Sequence, residues 1–338
     1  MSSKLDIVAR ILSGRGTKPG EAGRAFAPAN IALVKYWGKR DEELNLPVTS
    51  SLSVSLGALG SEVTIRRGHG ADTVILNGET LPADSSFARR VSAYLDLFRQ
   101  DSSMVFHLDA RNTIPTAAGF ASSASGFAAL VRSLDQLFGW DLDARELSIL
   151  ARLGSGSACR SLFHGFVEWH AGEAEDGMDS YAKPLAETWP DLRMGLVVIS
   201  SEEKAISSRA GMKRTVETSP LYTAWPSKVA EDLPEVRAAL RERDFHRLGR
   251  TAESNALAMH ATMIAAWPPV IYWKPESLAA MKRVAALREQ GLAVYFTMDA
   301  GPNLKLLFER KDEGAVAAEF PALAVVAPFG EGRHAIDS

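Results

Sequence analysis

Two charged side chains interrupt apolar stretches of the sequence, where a charge requires a partner. Lys35 follows four apolar residues, 31–34, and we expect it close to the core. A buried lysine needs an acidic or anionic partner. Asp299 ends a hydrophobic stretch, where a carboxylate could act as a general base or pair with Lys35. Taken alone, each residue also has a simpler explanation, because lysine can extend its charge to solvent and aspartate is an ordinary turn residue.

A run of small residues at 115–126, PTAAGFASSASG, has the composition of an anion-binding loop. Small side chains let the backbone approach a ligand, and a following helix directs free N–H groups and its positive dipole end to the same place. Phosphate is the most natural anion for such a site. The run lacks the Gly-Lys-Ser/Thr ending of a Walker A loop and does not fit G-x-G-x-x-G. A helix start packed tightly on a sheet explains the composition equally well.

Two further segments bring serine hydroxyls next to an arginine. The segment 154–160, GSGSACR, supplies backbone donors, two hydroxyls and the guanidinium of Arg160. It predicts either a turn in which Arg160 clamps a carboxylate or phosphate, or a helix-ending loop with an exposed arginine. In the segment 207–212, SSRAGM, two serines precede a predicted helix, which they could cap or use to contact phosphate.

The elements that must position these segments mix strands and helices without a regular βαβ repeat. Apolar spacing predicts strands at 62–66, 73–76, 104–108, 165–169, 196–200, 294–298 and 304–308. Helical spacing predicts helices at 86–99, 122–138, 142–153, 208–218, 235–243, 245–263 and 276–289. Asn77 and Gly78 after the second strand are a hairpin-turn signal. Clustered strands interrupted by helices indicate an α+β fold rather than a doubly wound sheet.

Composition restricts the class of protein. The 338 residues are enough for roughly two domains. The formal net charge of -3 argues against nucleic acid or an anionic membrane as the main partner. The single cysteine, Cys159, excludes an intrachain disulfide and a cysteine-rich zinc site, and makes a reducing cytoplasm the default location. No stretch of about 18 apolar residues predicts a transmembrane helix. Glycine and charge near the N-terminus predict a flexible leader over 1–23.

Taken together and in this order, the segments resemble the diphosphomevalonate decarboxylase family of the GHMP kinase superfamily. The similarity runs from about residue 27 to residue 303. It is most specific in NIALVKYWGKRDEELNLP, PTAAGFASSASG, GSGSACRS, SSRAGM with VETSP, and MDAGPN. Each segment by itself is weak evidence for the family, whereas the combination of KYWGK with DAGPN is hard to explain without it. Related small-molecule kinases share the Ala/Ser/Gly-rich loop but usually lack the KYWGK segment.

The resemblance implies an ATP-dependent decarboxylation of 5-diphosphomevalonate to isopentenyl diphosphate, with Mg²⁺ accompanying ATP. The 3-hydroxyl is phosphorylated, the 3-phosphate leaves, and loss of CO2 completes the double bond. The catalytic acid corresponds to Asp299, with Lys35 paired to it, and Arg160 corresponds to the residue that holds the substrate carboxylate. No dedicated metal cage is expected, because phosphate oxygens and water would hold the ion.

The resemblance also assigns residues to the phosphates of both substrates. Those assigned to the mevalonate phosphates are Tyr36, Lys39, Arg89, Ser155, Gly156, Ser157 and Ser208. Those assigned to ATP are Pro115, Ala118, Gly119, Ala121, Ser122 and Ser123, with the two serines nearest its phosphates. Arg89 and Arg90 both fit the substrate arginine after the hairpin, and we choose Arg89. Because this arginine bears on the distal phosphate, a monophosphate-specific relative, phosphomevalonate decarboxylase, stays an alternative.

The implied fold has an N-terminal ribosomal-protein-S5-like half at 24–195 and a C-terminal ferredoxin-like half at 196–338, with the active site between them. The resemblance also implies a homodimer. Two other kinds of protein share this fold, namely a 3-kinase that stops after phosphoryl transfer and a non-catalytic ligand sensor. Arg160 argues against the first, because a kinase need not hold a carboxylate. Lys35 and Asp299 argue against the second, because a sensor would be expected to have lost one of them.

Overall fold

The computed structural model describes residues 2–16, 20–101, 103–113, 122–202 and 204–330. Two sheets, each accompanied by helices, follow one another along the chain. The predicted α+β fold is thereby confirmed. Among the helices of these ranges, none combines the length and apolar character that a membrane span requires.

A seven-stranded sheet forms the first half of the molecule. Its strands are β1 (Ala22–Val34), β4 (Ser51–Gly68), β5 (Thr73–Leu76), β6 (Glu79–Thr80), β7 (Val105–Asn112), β8 (Phe166–Trp169) and β9 (Ala182–Pro184). The order is β6-β5-β7-β4-β8-β9, and β1 pairs with β4 off this path. A separate hairpin directly after β1 is formed by β2 (Lys39–Asp41) and β3 (Leu46–Pro47).

The end of β1 is irregular where it approaches the second half. Its antiparallel register with β4 shifts between Pro28 and Asn30 and again between Ala32 and Val34. Such bulges bend a strand and re-aim its side chains, and they are common beside active sites. The bend leads directly into Lys35, which follows the last paired residue of β1.

Helices of the first half pack on this sheet and on each other. They are α1 (Lys4–Leu12), α2 (Ser86–Leu95), α3 (Ser122–Phe138) and α4 (Ala144–Gly154). Helix α3 lies on β1 and β4, while α1 and α2 lie on α4. Helix α4 begins with a capping box formed by Asp143 and Glu146 and leads directly into a 3₁₀ helix, Gly156–Leu162.

The second half is a four-stranded antiparallel sheet with more helices around it. The strands are β10 (Leu192–Val197), β11 (Tyr295–Met298), β12 (Leu304–Glu309) and β13 (Ala324–Val326), in the order β11-β12-β10-β13. The helices are α5 (Ser208–Thr218), α6 (Trp225–Glu242), α7 (Phe245–Ile264), α8 (Pro275–Glu289) and α9 (Glu313–Glu319). Short 3₁₀ helices cover Tyr222–Ala224 and Arg310–Asp312.

One hydrophobic cluster joins the two halves and fixes the end of β1. Ile31, Leu33 and Val34 pack in it with Trp225 of α6 and Met259 of α7. Each of these residues is at most 2% exposed. Burying a side chain of this size contributes about 1.5–3 kcal/mol. The cluster therefore holds the strand that leads to Lys35 firmly against α7.

The prediction of a flexible leader over 1–23 is wrong for most of the residues that the structure describes there. Helix α1 starts with a capping box between Ser3 and Asp6, and its Ile7, Val8 and Ile11 are buried in the first core. These positions share one helical face, at the i, i+1 and i+4 spacing of an amphipathic helix. Asp6 and Arg10 beside these residues disguised that face in the sequence. Strand β1 then begins at residue 22 rather than at 24.

The boundary predicted between residues 195 and 196 is also wrong, because it divides β10. This strand pairs with β12 along its whole length and with β13 over Met194–Leu196, so it belongs wholly to the second sheet. The linker lies between β9 and β10, before Leu192. The sequence does not mark this point as an exposed linker, because the nearby Trp189 and Leu192 are apolar and buried.

Other predicted elements agree with the structure to different degrees. The helices at 122–138 and 208–218 have the predicted bounds, and the predicted hairpin turn has Asn77 and Gly78 at φ 52° and 87°. Helix α6 begins ten residues before its predicted start at 235. Pro234 lies inside it, and the buried Val229 and Val236 on either side of the proline anchor the helix to the core.

Candidate active site

A cleft of about 490 Å³ opens between the two halves. From the first half it is lined by Asn30, Lys35, Tyr36, Lys39, Ser86, Arg90, Ser123, Ser155, Gly156, Ser157 and Arg160. From the second half it is lined by Ser207, Ser208, Arg209, Met212, Met259 and Asp299. Residues far apart in the sequence and predicted to share a site therefore face the same space.

Asp299 forms ion pairs with a lysine on each side of its carboxylate. Its Oδ1 lies 3.0 Å from Lys35 Nζ, and its Oδ2 lies 3.0 Å from Lys305 Nζ. The lysine side chains are 2% and 5% exposed, whereas the Asp299 side chain keeps 38% exposure. Lys35 also donates to the Ala32 carbonyl at 2.7 Å. The carboxylate is thus fixed from the protein side and reachable from the cleft.

The two lysines determine the protonation state of Asp299. Burial alone would raise the pKa of this carboxyl group, but Lys305 and Lys35 outweigh burial and hold the pKa well below its usual range. Burial lowers the pKa of Lys35 to about 8, although the Asp299 carboxylate opposes this change. At neutral pH the centre therefore holds a carboxylate, which is a weak base and a strong hydrogen-bond acceptor.

Arg160 is a buried guanidinium held by neutral partners. It lies in the 3₁₀ helix after α4, is 3% exposed, and donates to the side-chain oxygens of Asn30 and Ser51. Its guanidinium carbon stands 5.9 Å from the centre of the Trp169 ring. Within the described ranges no carboxylate forms a salt bridge with it. Because a buried charge is costly without a counter-ion, this arginine is suited to bind an anion from the cleft.

The turn at 155–157 approaches Tyr36 very closely. A Cβ atom on Gly156 would lie 2.9 Å from the Tyr36 hydroxyl, so only glycine fits there without displacement. Tyr36 packs edge-on against Trp169, and its buried hydroxyl has no hydrogen-bond partner in the described part of the chain. Ser155 and Ser157 line the cleft beside it. This corner therefore presents several hydroxyl donors to an anion.

Three cations gather near this corner, and one of them is the neighbour of a predicted substrate residue. Lys39, Arg90 and Arg209 line the cleft, and the charge of Arg209 helps burial to lower the pKa of both Lys39 and Arg90. Arg89, the predicted substrate arginine, is exposed and does not line the cleft. Successive residues on a helix point about 100° apart, so only one of the two arginines can face inward. That residue is Arg90, which also lies 5.5 Å over the Phe127 ring.

The two serines at the start of α5 differ in position, and the sequence had left their roles open. Ser207 is the N-cap, and its hydroxyl accepts the Ala210 N–H at 3.2 Å. Ser208 begins the helix and, like Ser207, lines the cleft. The predicted phosphate residue Ser208 thus lies at the start of a helix, where N–H groups and the helix dipole favour anions.

Most of the predicted nucleotide loop lies outside the described residues. This applies to Pro115, Ala118, Gly119 and Ala121. Ser122 begins α3, and Ser123 lines the cleft.

Cys159, next to Arg160, is buried in a small apolar cluster, and burial raises the pKa of its thiol to about 12. This position suits a packing residue rather than a nucleophile.

Sequence reasoning missed Lys305, Asn255 and His260, which all contact the central ion pair. Lys305 is the one buried charged residue of strand β12, where it interrupts a run of apolar residues, and that interruption was the signal available. Asn255 and His260 contact backbone groups of Lys35 and Asp299, which no sequence spacing indicates. Among the described residues, no group of three or more His, Cys, Asp or Glu side chains is arranged to hold a metal ion.

Comparison with known proteins assigns both halves to matched family models. Residues 27–182 match the diphosphomevalonate decarboxylase-like N-terminal domain. Residues 195–327 match the mevalonate 5-diphosphate decarboxylase C-terminal domain. The gap between the matches contains the linker and the start of β10.

Individual relatives agree with these models. The chain is 39% identical over 330 residues to diphosphomevalonate decarboxylase mvd1 of Aspergillus fumigatus, covering 90% of this chain and 81% of the relative. It superposes with a TM-score of 0.86 on MDDEF in complex with MVAPP, AMPPCP and magnesium, at 43% identity and 91% and 96% coverage. The mevalonate diphosphate decarboxylase from Enterococcus faecalis gives a TM-score of 0.85 at 42% identity, with 91% and 96% coverage.

Proposed function

This chain belongs to the diphosphomevalonate decarboxylase family, and we propose that it converts 5-diphosphomevalonate and ATP into isopentenyl diphosphate, ADP, phosphate and CO2. The observation that carries the proposal is one cleft containing the Lys35–Asp299–Lys305 centre and Arg160. The acid centre suits transfer of a phosphoryl group to a hydroxyl. A buried guanidinium without an acidic partner suits a substrate carboxylate.

In the first step, Asp299 accepts a hydrogen bond from the substrate 3-hydroxyl and orients the hydroxyl oxygen toward the γ-phosphorus of ATP. The new O–P bond forms as the bridging P–O bond to ADP breaks. As the hydroxyl oxygen gives an electron pair to phosphorus, its proton passes to the Asp299 carboxylate. A carboxylate with so low a pKa is a weak base, so orientation is its larger contribution. Lys35 and Lys305 keep it ionised and place positive charge beside the transferring group.

In the second step, the 3-phosphate departs with the electrons of its C–O bond, and positive charge builds at C3. The C–C bond to the carboxylate then breaks, its electrons form the double bond, and CO2 leaves. Arg160 holds the carboxylate in the plane that this alignment requires, with its own direction fixed by Asn30 and Ser51. Its burial excludes water that would otherwise solvate the carboxylate.

The substrate diphosphate would lie at the cationic corner of the cleft. Tyr36, Ser155, Ser157 and Ser208 supply hydroxyl donors, and the Gly156 backbone allows close approach. Lys39, Arg90 and Arg209 supply cationic groups there, of which Lys39 also pairs with Glu42 at 3.2 Å. Three cations match a diphosphate better than a monophosphate, which favours the diphosphate substrate over the phosphomevalonate alternative.

The nucleotide would be held by the loop that ends at Ser122 and Ser123, at the N-terminus of α3. Mg²⁺ accompanying ATP suits this site, since it is usually held by phosphate oxygens and water with few protein ligands. The described residues provide no competing cage. The ion would neutralise part of the charge of the triphosphate.

We also propose that the protein is a homodimer and that it is located in the cytoplasm. The resemblance implies the dimer, and the single cysteine supports the cytoplasmic location.

Incubation with ATP and 5-diphosphomevalonate, following ADP and CO2 separately, tests the proposed function. Equal amounts of both products are expected. ADP without CO2 would identify a 3-kinase, and no ADP would contradict an enzymatic role on this substrate. Parallel assays with 5-phosphomevalonate distinguish the two decarboxylases. Sedimentation velocity on the same sample tests the dimer.

A further inference from the structure

Helix α7 carries two buried side chains that bond the backbones of Lys35 and Asp299. Asn255 Oδ1 accepts a hydrogen bond from the Lys35 N–H at 2.8 Å, and His260 Nε2 donates to the Asp299 carbonyl at 3.1 Å. Both residues are at most 1% exposed. They lie five positions apart, about 7.5 Å along a helix axis. One rigid element thus reaches both members of the ion pair.

These bonds replace strand pairing at the points where it stops. Lys35 and Asp299 each follow the last paired residue of a strand, in the β1–β4 and β11–β12 ladders. Beyond a ladder, a buried N–H or C=O group needs another partner. Asn255 supplies the acceptor for Lys35, while His260 and the Gly301 N–H, at 2.7 Å, are the donors to the Asp299 carbonyl. The direction of each reactive side chain therefore depends on α7.

The Asn255 amide has only one workable orientation. Its Nδ2 donates to Asp232 Oδ2 of α6 at 2.8 Å, and Asp232 Oδ1 accepts from Lys228 Nζ at 2.6 Å. The Lys35 N–H can only donate and the Asp232 carboxylate can only accept, so a flipped amide would lose both bonds. The partner on α6 thus fixes the acceptor that α7 offers to Lys35.

The His260 ring is fixed in the same manner. It stacks on Trp273, with ring centres 5.3 Å apart and planes inclined by 28°. Because the Asp299 carbonyl can only accept, Nε2 carries the proton. Burial lowers the pKa of His260 to about 3, so the ring stays neutral in this tautomer at physiological pH. A neutral donor leaves the charge balance of the ion pair unchanged.

We propose that Asn255 and His260 are positioning residues that set the distance and direction of Lys35 and Asp299 from opposite ends of one helical segment. The inference rests on the proposed function for the reaction that these groups perform. A shift of about 1 Å at a reacting group can cost about 100-fold in rate. The substrate phosphates and carboxylate bind elsewhere, so the effect should fall on kcat and not on KM.

His260→Phe and His260→Gln form the main test. Phenylalanine keeps a ring to stack on Trp273 but lacks the donor, and kcat is expected to fall about 100-fold with KM within about twofold. Glutamine places an N–H near the position of Nε2 and should recover at least about tenfold of that loss. His246→Phe is the matched control, because His246 lies on the same helix, is exposed, and bonds the Tyr295 hydroxyl instead. Its kcat should stay within about twofold of the parent.

A second pair of variants tests the Asn255 end independently. Asn255→Asp places two carboxylates where a 2.8 Å hydrogen bond now lies, and kcat should fall. Adding Asp232→Asn restores a donor and an acceptor in the reverse order, and should recover activity. Urea unfolding of each variant identifies any that fail to fold. A folded His260→Phe variant with parental kcat, or one whose loss lies in KM, overturns the proposal.

Histidine ¹⁵N NMR of the unliganded protein gives a readout that does not require turnover. His260 is expected as the neutral Nε2–H tautomer, without titration between about pH 5 and 8. A proton on Nδ1, or titration in that range, overturns the inference whatever the activity. Failure of the parent protein to release ADP, with the expected tautomer present, would instead contradict the proposed function.

Discussion

Lys305 Nζ lies 3.0 Å from Asp299 Oδ2, and both residues belong to the hairpin of β11 and β12. The second sheet therefore carries its own acid–cation pair, to which the first half adds Lys35 from the end of β1. A lysine in a buried strand is costly, and the nearby carboxylate offsets that cost. The site is complete only where the two halves meet, because the third charge comes across the cleft.

Replacing Lys305 by methionine should weaken the acid centre without removing it. With one cation left, the pKa of Asp299 should rise, so the acid limb of the rate profile should move to higher pH. We expect kcat to fall about 100-fold, as for other removed electrostatic contacts to a transition state. Lys282→Met, at an exposed position on α8, is the control. An unchanged acid limb and kcat would exclude Lys305 from the centre.

Asp299→Asn should separate binding from chemistry. Asparagine keeps one oxygen for a lysine but turns an NH2 donor toward the other lysine, and it cannot accept the hydroxyl proton, so kcat should fall at least about 1000-fold. ATP affinity should stay near the parental value, because this side chain faces the substrate hydroxyl. The free energy of unfolding should fall, because Lys35 and Lys305 are buried and lose their shared counter-ion. Circular dichroism and calorimetric titration with ATP check both points. Near-normal turnover would remove Asp299 from its proposed role.

Lys35, Asp299 and Arg160 could be predicted because each is a charge in an apolar or small-residue setting. Such residues need partners, and the predicted pairing of Lys35 with Asp299 is present in the structure, whereas Arg160 is held by the neutral side chains of Asn30 and Ser51. Helices with clear spacing and caps, such as α3 and α5, could also be predicted closely. These features are local, so a short window of sequence contains the information.

The remaining errors concern features that depend on contacts distant in sequence. Asn255 and Lys35 are 220 positions apart and meet through a side chain and a backbone N–H, which leaves no pattern in either segment. The choice between Arg89 and Arg90 depends on helical phase, which only the packing of α2 determines. The predicted boundary inside β10 was wrong because one hydrophobic cluster contains residues of both halves.

The lowered pKa of Lys35 predicts how activity depends on alkaline pH. Its ammonium has a pKa of about 8, so the protonated fraction, and with it kcat/KM, should fall as the pH rises through 8. Lys35→Arg keeps a positive charge at every accessible pH and should lose this basic limb, with lower kcat from its different shape. Rates measured from about pH 6 to 10 check this. The same basic limb in Lys35→Arg would assign it to another group.

Helix α1 should contribute directly to stability, although it precedes the matched family region. Ile7 is 2% exposed in the first core, so Ile7→Ala should lower the free energy of unfolding by about 2–5 kcal/mol. Leu5→Ala is the matched control on the same helix, because Leu5 is 58% exposed and should change stability by less than about 0.5 kcal/mol. Urea unfolding measures both. Equal effects would mean that α1 is not docked in solution.

The neighbouring arginines of α2 offer a matched test of substrate recognition. Arg90 lines the cationic corner of the cleft, whereas Arg89 is exposed outside it. A charge-assisted hydrogen bond contributes about 1.5–3 kcal/mol, so Arg90→Ala should raise KM for 5-diphosphomevalonate about tenfold or more. Arg89→Ala should leave KM within about twofold. Because the lost charge faces the phosphates, Arg90→Ala should also reduce the preference for the diphosphate over the monophosphate. A larger effect at Arg89 would restore the original sequence assignment and place the diphosphate away from this corner.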